Sequence, residues 1–336
     1  APGFDPNDFS HTKASLLKVP SVQDVYEPGS TGKVMTMAAA LEEKLVTPTT
    51  VFKTQDKIRR DGKLFKDHDT HPVWQLTATG ILAKSSNVGT IKIAERMSEH
   101  TLYSYLKKFG IGEKVSLGLP AESAGILHPV EQWSRSTFPT VSFGQSYSVT
   151  TIQATSVFAT IANGGVRIAP TLIAGTSDAA GHYTASSRPE SRQVISADVA
   201  KQLSAMMESV THEGGTAVRA AIPGYRVAGK TGTAQRYDES CRCYRGYTSS
   251  FIGFAPADNP RFVMSVTVQN PVGIHWGGYL GGPVFKSVIS YALKSYRVPP
   301  SGVEFHPYPL DKAELKKQEN ANTNKTDKIA TASDKG

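Results

Sequence analysis

Apolar residues recur at helical spacing over residues 76–95, 101–109, 149–162 and 197–210, with glycine- and proline-containing breaks between the segments, so helices are predicted there. Another is predicted where Phe285, Val288, Ile289 and Ala292 fall at i, i+3, i+4 and i+7, ahead of Pro299 and Pro300. Residues 248–255 and 262–269 follow a different rule. They are rich in Phe, Ile and Val and flank Pro256-Ala257-Asp258-Asn259-Pro260, a turn sequence, which predicts an antiparallel hairpin. A third strand over 225–235 is expected alongside it. The pattern therefore places a mostly helical lobe, about 61–219, between sheet-forming ends at about 1–60 and 220–300, an α+β architecture of two lobes sharing a cleft. Residues 301–336 are expected to be a flexible tail, because from 311 onward there is no aromatic residue and hardly any large apolar side chain.

Composition narrows the class. In 336 residues, 39% hydrophobic, the 13 Tyr and 13 Phe supply enough apolar surface for a packed core without metal or disulfide. No window approaches the run of about 18 apolar residues that crosses a bilayer. The formal charge of +8 raises the question of nucleic acid, but the Lys and Arg are scattered and no aromatic-rich box accompanies them, so no nucleic-acid partner is expected. Cys241 and Cys243 lack a second pair at zinc spacing. His68 and His71, in Asp67-His68-Asp69-Thr70-His71, are expected at a solvated hairpin tip rather than on a metal.

Candidate chemistry begins with serine followed three positions later by lysine, which on a helix puts a nucleophile and a base on one face. The pattern occurs at Ser10–Lys13, Ser15–Lys18, Ser30–Lys33 and Ser104–Lys107, so most instances are accidental. Ser15–Lys18 is too close to Pro20, Ser10–Lys13 has no apolar stripe, and Ser104 projects away from the stripe of Leu102, Tyr105, Leu106 and Phe109. Ser30 follows the turn Glu27-Pro28-Gly29 and opens a helix with the stripe Val34, Met37, Ala38 and Leu41. A serine there lies beside free backbone N–H groups and the positive helix end, although an ordinary N-cap serine is the plainer reading of that position alone.

Two further motifs, each present once, change that reading. Lys230-Thr231-Gly232-Thr233 ends the third predicted strand: its glycine admits a substrate backbone, its lysine and hydroxyls suit a carboxylate, and its backbone N–H groups suit an oxyanion. Ser85-Ser86-Asn87 interrupts an apolar helical stretch with small polar residues able to relay a proton and orient an amide. In the order Ser-x-x-Lys, Ser-x-Asn, Lys-Thr-Gly, the three form the penicillin-recognising serine transferase set.

With the flanking segments Tyr26-Glu27-Pro28-Gly29-Ser30-Thr31, Ser85-Ser86-Asn87-Val88-Gly89, Glu213-Gly214-Gly215-Thr216-Ala217 and Val227-Ala228-Gly229-Lys230, the chain resembles the transpeptidase domain of a class B, monofunctional penicillin-binding protein of the division-specific septal type, over about residues 1–300. The resemblance implies a serine β-lactamase-like fold with the site in the cleft, and a D,D-transpeptidase acting on peptidoglycan stem peptides. Ser30 would form the acyl-enzyme, with a neutral Lys33 as base and Ser85 relaying a proton to the leaving amine. Asn87 would hold the stem amide, and Thr231 and Thr233 the terminal carboxylate, beside Lys230 and Gly232. Backbone N–H groups of Ser30 and Thr233 would form the oxyanion hole. β-Lactams would acylate Ser30, and no cofactor is implied.

By the same resemblance, the protein would act at the extracytoplasmic face of a bacterial membrane, anchored by an N-terminal helix outside this chain, with a membrane glycosyltransferase and division proteins as partners. A carboxypeptidase or β-lactamase of the superfamily and a β-lactam sensor remain as alternatives, although no Glu-x-x-x-Asn segment suited to deacylation is found in the helical lobe. One departure is Phe143-Gly144-Gln145-Ser146 followed by Thr150-Thr151, where the family commonly has Phe-Gly-Gln-Gly and Thr-Pro. The 236–246 loop, with its two cysteines, is expected to gate the cleft.

Overall fold

The computed structural model describes residues 4–238 and 241–333. Helical turns at Pro6–His11 and Ala14–Leu16 and helix α1 (Pro20–Gln23) lead to β1 (Val25–Tyr26) and then to a tight helical turn, Gly29–Gly32, that runs into α2 (Lys33–Glu42). β2 (Val51–Thr54), β3 (Lys57–Arg60), β4 (Lys63–Lys66) and β5 (Trp74–Thr77) precede α3 (Ala78–Lys84), α4 (Asn87–Ala94), α5 (Glu99–Lys108) and α6 (Thr137–Ser142). β6 (Val149–Thr150) and α7 (Thr151–Ala162) follow, then β7 (Val166–Ile168), β8 (Gly175–Ser177), β9 (Tyr183–Ala185), β10 (Ser191–Gln193) and α8 (Ala197–Glu208). The chain closes with β11 (Ala228–Asp238), β12 (Cys243–Ala255), β13 (Phe262–Gln269), α9 (Gly277–Ser295) and α10 (Lys312–Ser333).

The main sheet is the antiparallel meander β11-β12-β13, as the runs rich in Phe, Ile and Val predict, with α7 and α9 packed on it. The edge strand β11 lies beside the Gly29–Gly32 turn. α2 is the central helix. Its apolar stripe is buried, and so is its opposite face, because every residue from Lys33 to Leu41 is buried, with α4, α5 and α8 around it. Ala38, Ala39 and Ala40 have no exposed surface, and their small size lets those neighbours close in.

Three expectations are corrected. Residues 4–60 contribute no strand to the main sheet. β1 pairs only with β6, because Asp5-Pro6-Asn7 and Pro20 start helical turns where an extended strand was expected. The single helical stretch expected over 76–95 is broken at Ser85, which caps α3 in the left-handed region at φ 60°. Residues 301–333 are not a featureless tail. The carbonyls of Pro309 and Leu310 accept from Thr77 Oγ1 and Thr77 N at 2.7 and 3.0 Å, docking the segment on the start of α3. Asp311 Oδ1 then accepts from the N–H groups of Ala313 and Glu314, while Glu314 accepts from Leu310 N, a reciprocal cap that starts α10. Among the described residues, no helix is long and apolar enough to cross a membrane.

Candidate active site

Four segments converge where the sheet edge meets the helices. Ser30 is half-buried in the turn before α2, and Lys33, one helical turn on, is buried. The turn is fixed from behind by Phe143-Gly144-Gln145-Ser146. Gly29 N donates to Gly144 O at 2.8 Å, and a side chain at Gly144 would meet that same Gly29 backbone at 1.8 Å. Ser146, where the family commonly has glycine, is held at φ 65°, with its N–H on Glu27 Oε1 and its hydroxyl 2.7 Å from Thr140 Oγ1. The Thr150-Thr151 departure leaves a good helix start, since Thr150 and Gln153 form a complete capping box.

The 85–87 segment is the break between α3 and α4. Ser86 caps α4 by accepting from Gly89 N at 2.8 Å, and its hydroxyl donates to Asp67 Oδ2 at 2.6 Å. Asp67 Oδ1 accepts from Val88 N at 2.9 Å, so one buried carboxylate ties the loop after β4 to the start of α4. Asn87 Nδ2 donates to Lys66 O at 2.9 Å, which leaves its amide oxygen available as an acceptor.

Ser85 Oγ stands between two lysines. Lys230 Nζ lies 2.9 Å from it and Lys33 Nζ 3.3 Å, and Lys33 also donates to Ser85 O at 2.5 Å. Lys33 thus bonds Ser85, not Ser30; catalytic hydrogen bonds often tighten only once substrate is bound. Burial pushes the Lys33 ammonium down to about 7, opposed by the charge of Asp67. Burial, then the neighbouring Lys33, holds Lys230 well below the ordinary lysine range.

On β11, Gly232 is required by close approach. A Cβ there would meet Ser250 Oγ at 2.3 Å and Pro28 O and Thr31 Cγ2 at 3.0 Å. Thr231 Oγ1 is 2.9 Å from Thr216 Oγ1, and Thr233 Oγ1 accepts weakly from Gly277 N at 3.3 Å. The structure thus brings Lys33, Ser85, Lys230 and Thr231 into contact, sets Gly232 and Thr233 beside the turn that carries Ser30, and leaves Asn87 two residues from Ser85, bonded to Lys66 O.

Other neighbours were not singled out from sequence. Asp67 and Thr216 lie far along the chain from the side chains they bond, and Trp276, the cap of α9, meets the ring of His68 at 4.2 Å. A clue to Thr216 lay in Gly214-Gly215: Gly214 stands at φ 83°, and Gly215 packs too closely on the Ser209 and Val210 carbonyls for a side chain. His71 corrects the expected solvated tip. Only 4% of its side chain is exposed, with its ring stacked on Trp74. The 236–246 stretch is largely the extension of β11 and β12, with Cys241 and Cys243 joined as a disulfide.

A serine one helical turn before a buried lysine, a second serine held between that lysine and another, and a strand edge with Lys-Thr-Gly define an acyl-transfer site of the serine transferase class. The family model described as penicillin binding protein transpeptidase domain matches residues 1–290, and the chain belongs to that family. It is 39% identical over 307 residues to penicillin-binding protein PbpB of Mycolicibacterium smegmatis, covering 88% of this chain and 47% of that protein. It is 33% identical over 304 residues to peptidoglycan D,D-transpeptidase FtsI of Escherichia coli K12, covering 90% of this chain and 50% of that protein. The chain thus spans about half the length of these curated relatives. The fold is similar to that of penicillin binding protein 3 from Mycobacterium tuberculosis complexed with aztreonam, with a TM-score of 0.85, 36% identity, and coverage of 92% of this chain and 70% of that one.

Proposed function

We propose that this domain is the peptidoglycan D,D-transpeptidase unit of a class B, septal-type penicillin-binding protein. Ser30 Oγ attacks the carbonyl between the last two D-alanines of a stem peptide, and its proton passes to neutral Lys33. The oxyanion is held by the N–H groups of Ser30 and Thr233. As the C–N bond breaks, the leaving amine of D-alanine takes a proton from Ser85 Oγ, which is resupplied from the lysines on either side. An acyl ester on Ser30 remains. An acceptor amine from a neighbouring stem attacks it, gives up a proton along the same route, and releases Ser30 with the cross-link made. Thr231, Thr233 and Lys230 hold the terminal carboxylate, Gly232 lets the substrate backbone lie against β11, and the Asn87 amide oxygen accepts from the stem amide. β-Lactams acylate Ser30 as mimics of the terminal dipeptide.

The observation that carries this reading is the Ser85 hydroxyl shared by Lys33 and Lys230, with Lys33 brought by burial to about 7. Resemblance to septal relatives supports the further reading that the protein works at the extracytoplasmic face of a bacterial membrane, tethered by an N-terminal helix, with a membrane glycosyltransferase and division proteins as partners. The test supplies a D-alanyl-D-alanine-type thioester donor together with a D-amino acid acceptor. Transpeptidation gives the aminolysis product at the expense of the hydrolysis product as acceptor increases. Hydrolysis alone at every acceptor concentration would support a carboxypeptidase instead.

A further inference from the structure

His71 is a buried ionisable side chain that the acyl-transfer steps do not use. Its Nδ1 lies 2.7 Å from the carbonyl oxygen of Pro72, and its Nε2 lies 3.0 Å from Asp67 Oδ2. The ring stacks on Trp74 at a centroid distance of 3.5 Å and an angle of 3°. Only 4% of the His71 side chain and 6% of Asp67 is exposed. A carbonyl oxygen only accepts, so Nδ1 carries a proton. Nε2 faces a carboxyl oxygen, and two lone pairs at that distance repel, so a second proton lies between them, on Nε2 or on Oδ2. In both placements Asp67 and His71 together carry no net charge.

We propose that His71 is a positioning residue for acylation: it holds the proton that neutralises Asp67, so that Asp67 anchors the 85–87 turn without presenting an unpaired negative charge to Lys33. The anchoring is direct, since Asp67 accepts from both Ser86 Oγ and Val88 N. Its drawback is also direct, because the Asp67 charge favours the protonated form of Lys33, the form unable to act as base. The charged groups facing this network are Lys33 from α2 and Lys230 from β11, which bond Ser85, the residue next to the Ser86 that Asp67 holds. The other ionisable side chains of the loop, Lys66, His68 and Asp69, are exposed. With an apolar ring in place of His71, Asp67 would face Lys33 as a bare carboxylate, and Lys33 would hold its proton to higher pH.

The inference rests on the acyl-enzyme reading, and the experiment separates the two. Labelled-penicillin acylation of Ser30 is timed across pH for the wild type, His71→Phe, His71→Gln and the double variant Asp67→Asn/His71→Phe. Both single variants are expected to move the rise in acylation rate upward by about half to one pH unit, and the double variant to return it towards the wild type. Gln keeps a donor for Asp67 but cannot hold an extra proton, so it carries the test if the Phe variant misfolds. A Gln variant with the wild-type midpoint overturns the proposal. So does a Phe variant that is slower by the same factor at every pH and is not rescued by Asp67→Asn, since His71 would then only pack. A wild type that takes no label at Ser30 removes the acyl-enzyme reading itself, and the role of His71 with it.

Discussion

Lys33 and Lys230 share one hydroxyl: their ammonium nitrogens lie 3.3 and 2.9 Å from Ser85 Oγ. Burial disfavours the charged form of both, the neighbouring Lys33 disfavours that of Lys230 further, and only one proton-accepting nitrogen is needed. Desolvation thus brings Lys33, an ordinarily cationic side chain, to about 7, where it can take up a proton near neutral pH.

The pH dependence follows from that base. In the proposed mechanism neutral Lys33 is the competent form, so the rate of acylation by penicillin is expected to rise as pH increases through about 7 and then level off. The sign for stability is separate. The folded state binds Lys33's proton less tightly than the unfolded chain does, so between about 7 and the ordinary lysine range stability rises with pH. Lys33→Met removes both terms. It is expected to abolish acylation while raising unfolding stability at neutral pH by about 1 kcal/mol, measured by denaturant titration.

Gly232→Ala tests the close approach of β11 to the Ser30 turn. The new methyl would meet Ser250 Oγ at 2.3 Å and both Pro28 O and Thr31 Cγ2 at 3.0 Å, forcing the strand away from the nucleophile. A misplacement of about 1 Å lowers rates by about 100-fold, so acylation is expected to fall at least that far while circular dichroism stays unchanged.

How much was legible in the sequence depended on range. The hairpin of β12 and β13 could be read because runs rich in Phe, Ile and Val and a proline-flanked turn are local signals, and the three motifs because each is a contiguous string. The docking of 309–311 was not, since it runs through backbone carbonyls of Pro309 and Leu310 to Thr77, and carbonyls have no sequence signature. The reciprocal cap of Asp311 and Glu314 was visible in principle, but the polar composition that follows hid it. Ser85 in the left-handed region looked like mid-helix because apolar residues flank it on both sides. His71 sat among Asp67, His68 and Asp69, which reads as a wet loop until Trp74 and Asp67 are seen to enclose it.

Ser146 stands at φ 65°, a backbone region that favours glycine. Ser146→Gly relieves that strain but loses the bond to Thr140 Oγ1 and adds freedom to the unfolded chain. The net expectation is a gain of about 0.5 kcal/mol by thermal unfolding. A loss would mean that the hydroxyl bond outweighs the backbone term.

Glu208 on α8 is 1% exposed and is paired in two-pronged fashion with Arg226, at 2.7 and 2.8 Å, just ahead of β11. Arg226→Ala leaves a buried carboxylate without its partner and is expected to destabilise by about 3 kcal/mol. The paired change Glu208→Leu/Arg226→Met should cost much less in the same denaturant titration, because no lone charge is left behind.

The most direct test of the acyl-enzyme claim is to incubate the protein with a labelled penicillin, map the adduct by peptide mass and follow its loss. One equivalent on Ser30, persisting for many minutes and absent from Ser30→Ala, is the predicted result. Label elsewhere, or none at all, would contradict the account.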